Sequence, residues 1–329
     1  MSKFRGFRKK HSYFEGWYLK HQKGNQAIAF SPSFHVDEKG KKTASIQVIT
    51  NDRAYHFPFT AEEFNVSEKG FCVKIGNNLF SERGTSINLA NEKFSVSGTL
   101  HYSSFVELGT DIMGPFHLIP FMQCSHGVLS MLHQLRGTLH INGTDYDFTG
   151  GTGYVEKDFG SSFPENYTWT QTSDWTGKQD CSLMASAAKI PFGPCSFQGC
   201  ICAIWHHGKE YRLATYRGAR ILKDTADELV IAQGKYRLHV KREGTKEAGN
   251  AGTGMTGSTR MGEAGNAGTG LPGSIGTDQE LLAPVQGSMS RMIKENIACR
   301  VHYCFLSGKR VLFEFATDRA SFESVGKEN

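Results

Sequence analysis

The sequence predicts an almost all-β chain, folded as two antiparallel barrel or sandwich halves with few short helices. Three observations lead there: runs in which apolar and polar residues alternate with period two, turn dipeptides between those runs, and a scarcity of amphipathic helical pattern. The 23 Phe and 11 Tyr among 329 residues agree, because aromatic side chains suit strands and the walls of apolar cavities.

Residues 135–141 and 144–148 flank Asn142-Gly143, a dipeptide that tolerates the left-handed backbone of a two-residue hairpin. Residues 199–205 and 210–216 flank His207-Gly208-Lys209. In residues 235–241, Tyr236, Leu238 and Val240 alternate with Arg237, His239 and Lys241, as in a half-buried strand. Residues 300–305 and 311–315 repeat the pattern around Ser307-Gly308. Residues 281–295 are the best helical candidate, although Pro284 and Gly287 oppose a long helix. The glycines of Thr149-Gly150-Gly151-Thr152-Gly153 suit a junction, which places the halves at 1–148 and 149–329. Residues 244–276 stand apart, being rich in Gly, Thr, Ala and Ser, and the eight residues 247–254 recur at 263–270. With Met255, Met261, Leu271 and Ile275 as its large apolar side chains, that stretch is expected to be a disordered insert without chemistry of its own.

Composition sets further bounds. The net charge is +5, and Lys3, Arg5, Arg8, Lys9 and Lys10 make the opening basic. That reads as a solvated arm; nucleic acid is not an expected partner, and the support for a membrane surface is weak. No signal-like or membrane-spanning run is visible, so the expected location is cytoplasmic and the eight Cys are expected to be reduced. There is no phosphate-cradling glycine loop, Gly-x-Ser-x-Gly elbow or His-Glu-x-x-His. Cys195, Cys200 and Cys202, followed by His206 and His207, are the nearest approach to a zinc signal. Buried thiols on one face of a strand are the plainer reading, and no metal is expected.

Three clusters of aromatic, carboxylate and histidine residues are more informative. The first holds His11, Tyr13, Phe14, Glu15, Trp17 and Tyr18. The second runs from Met113 through Phe116 to Gln123 and His126. The third holds Glu156, Asp158, Phe159, Phe163, Tyr167, Trp169, Gln171 and Trp175. A carboxylate among aromatics is either a hydrogen-bonded structural acid or a general acid kept protonated by burial.

These clusters resemble the tocopherol cyclase family, which is lipocalin-like and related in fold to carotenoid hydratases and lipocalin-like Diels–Alderases. Residues 13–18 resemble its opening motif. Gly114-Pro115-Phe116, residues 120–122 and His126-Gly127 resemble its central block. Residues 156–160 resemble its Glu-Lys-Asn-Trp-Gly block, and Phe163-Pro164 with Trp169-Thr170-Gln171 resemble the stretch just after that block. Met289, Arg291, Cys299-Arg300 and residues 318–322 resemble its C-terminal end. The chain departs from the family pattern at Asp158 and Phe159, where the family carries Asn and Trp.

The resemblance implies two lipocalin-like halves around an apolar cavity, within one half or between them. It also implies ring closure of a prenylated phenol or other isoprenoid, an intramolecular lyase (isomerase-class) reaction that needs no cofactor. A proton must reach an alkene, π faces must stabilise the cation, and water must stay out. The expected catalytic residues are Glu156 or Asp158 as the acid, then Glu15, with His126 orienting the phenol or relaying its proton. Trp17, Tyr18, Phe116, Phe159, Trp169, Gln171 and Trp175 are expected to contact the substrate. A hydratase is the nearest enzymatic alternative, and a non-catalytic carrier of a hydrophobic molecule is the alternative outside enzymology.

Overall fold

The computed structural model describes residues 4–119, 122–174, 181–192, 195–243 and 276–327. Trp175 and the expected insert up to residue 275 lie outside the described residues. Within them the chain forms two large sheets and short 3-10 turns, without an α-helix. No helix among the described residues is long and apolar enough to cross a membrane.

The first sheet comprises β1 (Tyr13–Lys23), β2 (Gln26–Val36), β3 (Lys42–Thr50), β4 (Ala54–Thr60), β5 (Phe64–Val66), β6 (Cys72–Ile75), β7 (Asn78–Ser81), β8 (Gly84–Ala90), β9 (Ser95–Tyr102), β10 (Cys124–Ile141), β11 (Thr144–Asp147) and β12 (Thr152–Gly160). The second comprises β13 (Tyr167–Asp174), β14 (Cys181–Phe192), β15 (Cys195–His206), β16 (Lys209–Ala214), β17 (Arg220–Asp224), β18 (Glu228–Gln233), β19 (Tyr236–Arg242), β20 (Gln279–Val285), β21 (Ser288–Ser307) and β22 (Arg310–Val325). Their orders are 4-3-2-1-12-10-9-8-7-6-5, with β11 beside β10, and 16-15-14-13-22-21-19-18-17, with β20 beside β21. Neighbours pair antiparallel throughout. The expected junction at 148/149 falls between β11 and β12, both in the first sheet; the chain passes to the second sheet over residues 161–166.

Side chains alternate across a strand, so each sheet has two apolar faces to bury. Leu19, Phe30, Phe34, Val48, Phe80 and Val155 are among those that fill a first core inside the first sheet. Leu183, Ile204, Leu238, Tyr303 and Phe322 help fill a second core inside the other. The outer faces meet in a third cluster, the seam, which includes Tyr18, Ile49, Met131, Tyr154, Trp169, Met184 and Ile293. Two bulged strands serve more than one core. In β10 the register shifts around Ser130, and Met131 joins the seam while Leu129 and Leu135 stay in the first core. In β21 shifts around Cys299 leave Ile293 and Ile297 in the seam and turn Val301 and Phe305 into the second core.

The turns at residues 142–143 and 207–208 form as expected, while the third falls at Gly308-Lys309, one residue beyond Ser307-Gly308. Asn142 and Gly143 have φ 48 and 85, and His207 and Gly208 have φ 48 and 73, so that Lys209 begins the return strand. The helical candidate at 281–295 is corrected to the β20–β21 hairpin. Gln286 and Gly287, with φ 46 and 77, form its tight turn, and Pro284 sits at a register shift. Its turn docks on the first sheet: Gly287 N–H donates to Ser161 O (2.8 Å) and Gln286 N–H to Ser162 Oγ (2.8 Å). The basic opening also differs from a solvated arm, since Phe4 packs against Trp17, Phe34 and Phe64.

A Cβ on Gly287 would lie 2.0 Å from Val36 O and 2.5 Å from Tyr13 N. Gly287→Ala therefore combines a left-handed backbone with a clash against backbone that cannot yield. It is expected to destabilise the protein by about 1–3 kcal/mol, as read from the midpoint of urea unfolding.

Candidate active site at the seam

Period two sorts the residues of β12 by chemistry. Tyr154, Glu156 and Asp158 face the seam, whereas Val155, Lys157 and Phe159 face the first core. Antiparallel register brings partners to the same face: Tyr18 lies opposite Glu156, and Gly16 and His126 lie opposite Asp158. From the second sheet, Glu295 and Glu323 lie opposite one another, and Trp169 is opposite Glu323.

These residues surround a cavity of about 190 Å³ between the sheets. Phe14, Met113, Phe116, Phe163, Ile201 and Leu281 supply apolar wall, and Glu156, Asp158, Glu295 and Glu323 all border it. Residues 103–119 of the connection from β9 to β10 cross to the second sheet and cover one side. Glu210 accepts from Gly109 N–H (2.9 Å), Arg212 donates to the carbonyls of Thr110 (3.1 Å) and Asp111 (3.0 Å), and Tyr216 donates to Ile112 O (3.0 Å). Gly114, with φ 53, permits this approach, because a Cβ there would lie 2.5 Å from the Tyr216 ring.

Phenols cap the glutamates one to one. Tyr154 donates to Glu156 (2.7 Å), Tyr18 to Glu295 (2.6 Å), and Tyr167 to Glu323. His126 lies between two carboxylates, with Nδ1 2.8 Å from Asp158 and Nε2 3.4 Å from Glu156. Burial pushes Glu156 up to about 8, and repulsion from Asp158 and Glu295 adds to that against the pull of His126 and the Tyr154 hydroxyl. Burial likewise raises Glu295 to about 7, against its bond from Tyr18 and the attraction of Lys20. Glu323 is driven well above the carboxylate range by burial and then by Glu295. Burial opposes the imidazolium of His126, but Asp158 and Glu156 outweigh it and raise that pKa to about 9. At neutral pH the site thus holds protonated carboxyl groups beside an imidazolium.

Other expected site residues fall elsewhere. Glu15 faces the first core, ion-paired to Lys157 at 2.5 Å and bonded by Tyr13 OH (2.8 Å) and Arg5 N–H (2.9 Å); it is a structural acid. Lys157 in turn lies over Trp17 and Phe159. Trp17 borders the cavity, but its indole stacks among Phe4, Phe64 and Phe71. Gln171 is buried in the seam beside Ser173 (2.8 Å), away from the cavity lining. Tyr18, Phe116 and Trp169 line the cavity, and Tyr18 meets Trp169 edge-on at 5.5 Å. Sequence reasoning missed Glu295, Glu323 and Tyr154. The Tyr-x-Glu spacing of 154 and 156, which puts phenol and carboxylate on one face, was the available signal for that pair.

Among the described residues, His126, Glu156 and Asp158 are also the group whose ligand atoms, all within 4.8 Å of one another, could hold a metal ion. A divalent cation there would displace protons from His126 and Glu156. Cys195 is exposed, and Cys200 and Cys202 are buried thiols of β15 that belong to no such group.

A family model described as tocopherol cyclase-like matches residues 114–219. The match takes in the later part of the covering connection, His126, Glu156, Asp158 and Trp169; it leaves out Glu295 and Glu323. No curated protein matches the chain by sequence. Solved structures that share the fold include the following. One is of a protein assigned as AttH from Nitrosomonas europaea, with TM-score 0.51, 11% identity and coverage of 96% of this chain and 92% of that one. The others are CghA with Sch210972 (TM-score 0.52) and CghA alone (0.53), each 8% identical and covering 97% of this chain and 89% of that one. At such identities the likeness is one of fold.

Glu15 and Glu156 should respond oppositely to amidation. Glu15→Gln breaks a buried ion pair and is expected to cost about 3 kcal/mol. Glu156 binds its proton more tightly folded than unfolded, so its contribution to stability falls as pH rises from about 4.5 to about 8. Glu156→Gln removes that dependence. Its melting temperature relative to wild type should climb between pH 5 and pH 8.5, and a flat difference across that range would refute the raised pKa.

Proposed function

We propose that the protein is an enzyme that binds an unsaturated, largely apolar molecule in the seam cavity and closes a ring by acid-promoted addition of a phenol oxygen to an alkene. The observation that carries this reading is the placement of Glu156: a buried carboxyl group, which burial pushes toward its protonated form, bordering an apolar cavity 3.4 Å from an imidazole nitrogen. The tocopherol cyclase-like match over residues 114–219, which includes Glu156, supports the same class of reaction.

The steps balance without an oxidant or reductant. Glu156 gives its proton to one alkene carbon, leaving a tertiary cation on the other. Tyr18, Trp169 and Phe116 line the cavity where that cation forms and supply π systems to stabilise it. The phenol oxygen bonds to the cationic carbon. His126 Nε2–H passes a proton to the Glu156 carboxylate, and the neutral imidazole takes up the proton released by the phenol oxygen. Asp158, bonded to Nδ1 at 2.8 Å, holds the ring in orientation throughout. The covering connection keeps out water, which would otherwise capture the cation and give an alcohol.

The test is incubation with a panel of prenylated phenols in D2O, with products read by mass spectrometry. Ring closure should add one deuterium to the product, and the rate should fall as pH rises through about 8, where Glu156 loses its proton. Glu156→Gln is expected to lower turnover by about 100-fold or more. Full turnover in that variant removes Glu156 from the mechanism. An alcohol product identifies a hydratase, and tight binding without any product identifies a carrier.

A further inference from the structure

The cavity has a second polar wall that the proposed chemistry does not use. Ser31, Ser33 and His35 lie on the seam face of β2 and line the cavity, and Gln47 and Ser45 stand opposite Ser31 and Ser33 on β3. His35 Nε2 meets two hydroxyls, Ser33 Oγ at 2.9 Å and Ser45 Oγ at 3.1 Å. The two serine hydroxyls also meet each other at 3.2 Å. His35 is 3% exposed, and its Nδ1 is buried with no hydrogen-bond partner among the described residues. A buried ring nitrogen without a partner is costly unless something else supplies one. Burial, reinforced by His56, also favours the neutral ring.

Register relates this wall to the acid. Gly16 pairs with Ser33 on one side and with Asp158 on the other, so the row across the sheet runs Ser45, Ser33, Gly16, Asp158, His126. Gly16 contributes no side chain to the middle of that row, and a Cβ there would come within 3.0 Å of Ser33 Cβ. Two strand spacings separate Ser33 from Asp158 by about 10 Å across that open floor.

We infer that Ser33, His35 and Ser45 form a subsite for a neutral oxygen function of the ligand, a carbonyl or hydroxyl, on the far side of the Gly16 floor from the acid end. Neutral imidazole and hydroxyl groups can exchange hydrogen bonds with such an oxygen in either tautomer of His35. They offer no charge to offset the desolvation of a carboxylate. The inference rests on the proposed function for its placing of the acid end, and it narrows the substrate class to molecules that carry an oxygen function remote from the reacting alkene.

Calorimetric titration of the full chain with four matched probes tests it: 2-acetylnaphthalene, 1-(2-naphthyl)ethanol, 2-isopropylnaphthalene and 2-naphthoate. The ketone or the alcohol should bind about fivefold more tightly than the hydrocarbon, with naphthoate weakest. His35→Phe should erase that preference while retaining the hydrocarbon, and Ser33→Ala should reduce it. If His35→Phe does not fold, His35→Gln with Ser33→Ala carries the comparison. Glu156→Gln, which tests the acid, should leave the preference intact, so that failure of turnover and failure of this subsite are separable. A preference that survives in His35→Phe or vanishes in Glu156→Gln overturns the inference, as does failure of all four probes to bind.

Discussion

The seam between the sheets carries more carboxylates than cations. Glu156, Asp158, Glu295 and Glu323 border one cavity, and His126 and Lys20 are the bases that most directly act on them. Four negative charges cannot persist together in such a place, because each would be both desolvated and repelled by the others. Protons are the remedy. The tyrosine hydroxyls reduce the cost of burying each glutamate, the imidazolium of His126 is shared by two acids, and Lys20 itself is depressed to about 7 because burial outweighs the attraction of Cys299 and Glu295. A store of exchangeable protons in an apolar-walled cavity is thus a consequence of how the two sheets bury their outer faces.

That burial is not achieved by either sheet alone. Each closes around its own apolar core, yet the face carrying Tyr18, Tyr154 and Met131 finds its cover only against Trp169, Met184 and Ile293 of the other. Polar, specific contacts also help to set the two faces in place. Gln47 bonds both the N–H and the carbonyl of Leu282 at 2.9 Å, and the Gly287 turn rests on the backbone of β1 and β2. Such contacts define one relative placement rather than a sliding apolar interface, which is what a catalytic geometry requires.

Much of this is legible in the sequence, and the limits have the same physical origin. Period two and the turn dipeptides identify an all-β chain, and the residue clusters lead to Glu156, Asp158, His126, Tyr18, Phe116 and Trp169. Glu15 groups with them because it too is flanked by aromatics. Its parity on β1 places it with Tyr13 and Trp17 on the core face, and that parity can be assigned only once the strand is known to have its even residues in the seam. Residues 281–295 mislead because β20 and β21 are covered unevenly and their apolar residues mimic a helical spacing; the Gln286-Gly287 turn is the stronger evidence. Glu295 is lost with that hairpin. Glu323 meets Glu295 only across a pairing of β21 with β22 that is interrupted by bulges, which no local pattern records.

Because the cavity lies between the sheets, residues remote from it in sequence and outside its lining help to determine its shape. The connection from β9 to β10 contributes Met113 and Phe116 to the wall, but its position is fixed by Arg212 and Tyr216 of the second sheet. Gly114 allows that contact and Gly16 keeps the floor open, so two of the least chemical residues in the site decide what can enter it. The acid wall and the neutral hydroxyl–imidazole wall then face a common apolar volume. A molecule that satisfies both must be oriented, and orientation is what converts a protonated carboxyl group in a greasy cavity from a general hazard to alkenes into a selective reagent.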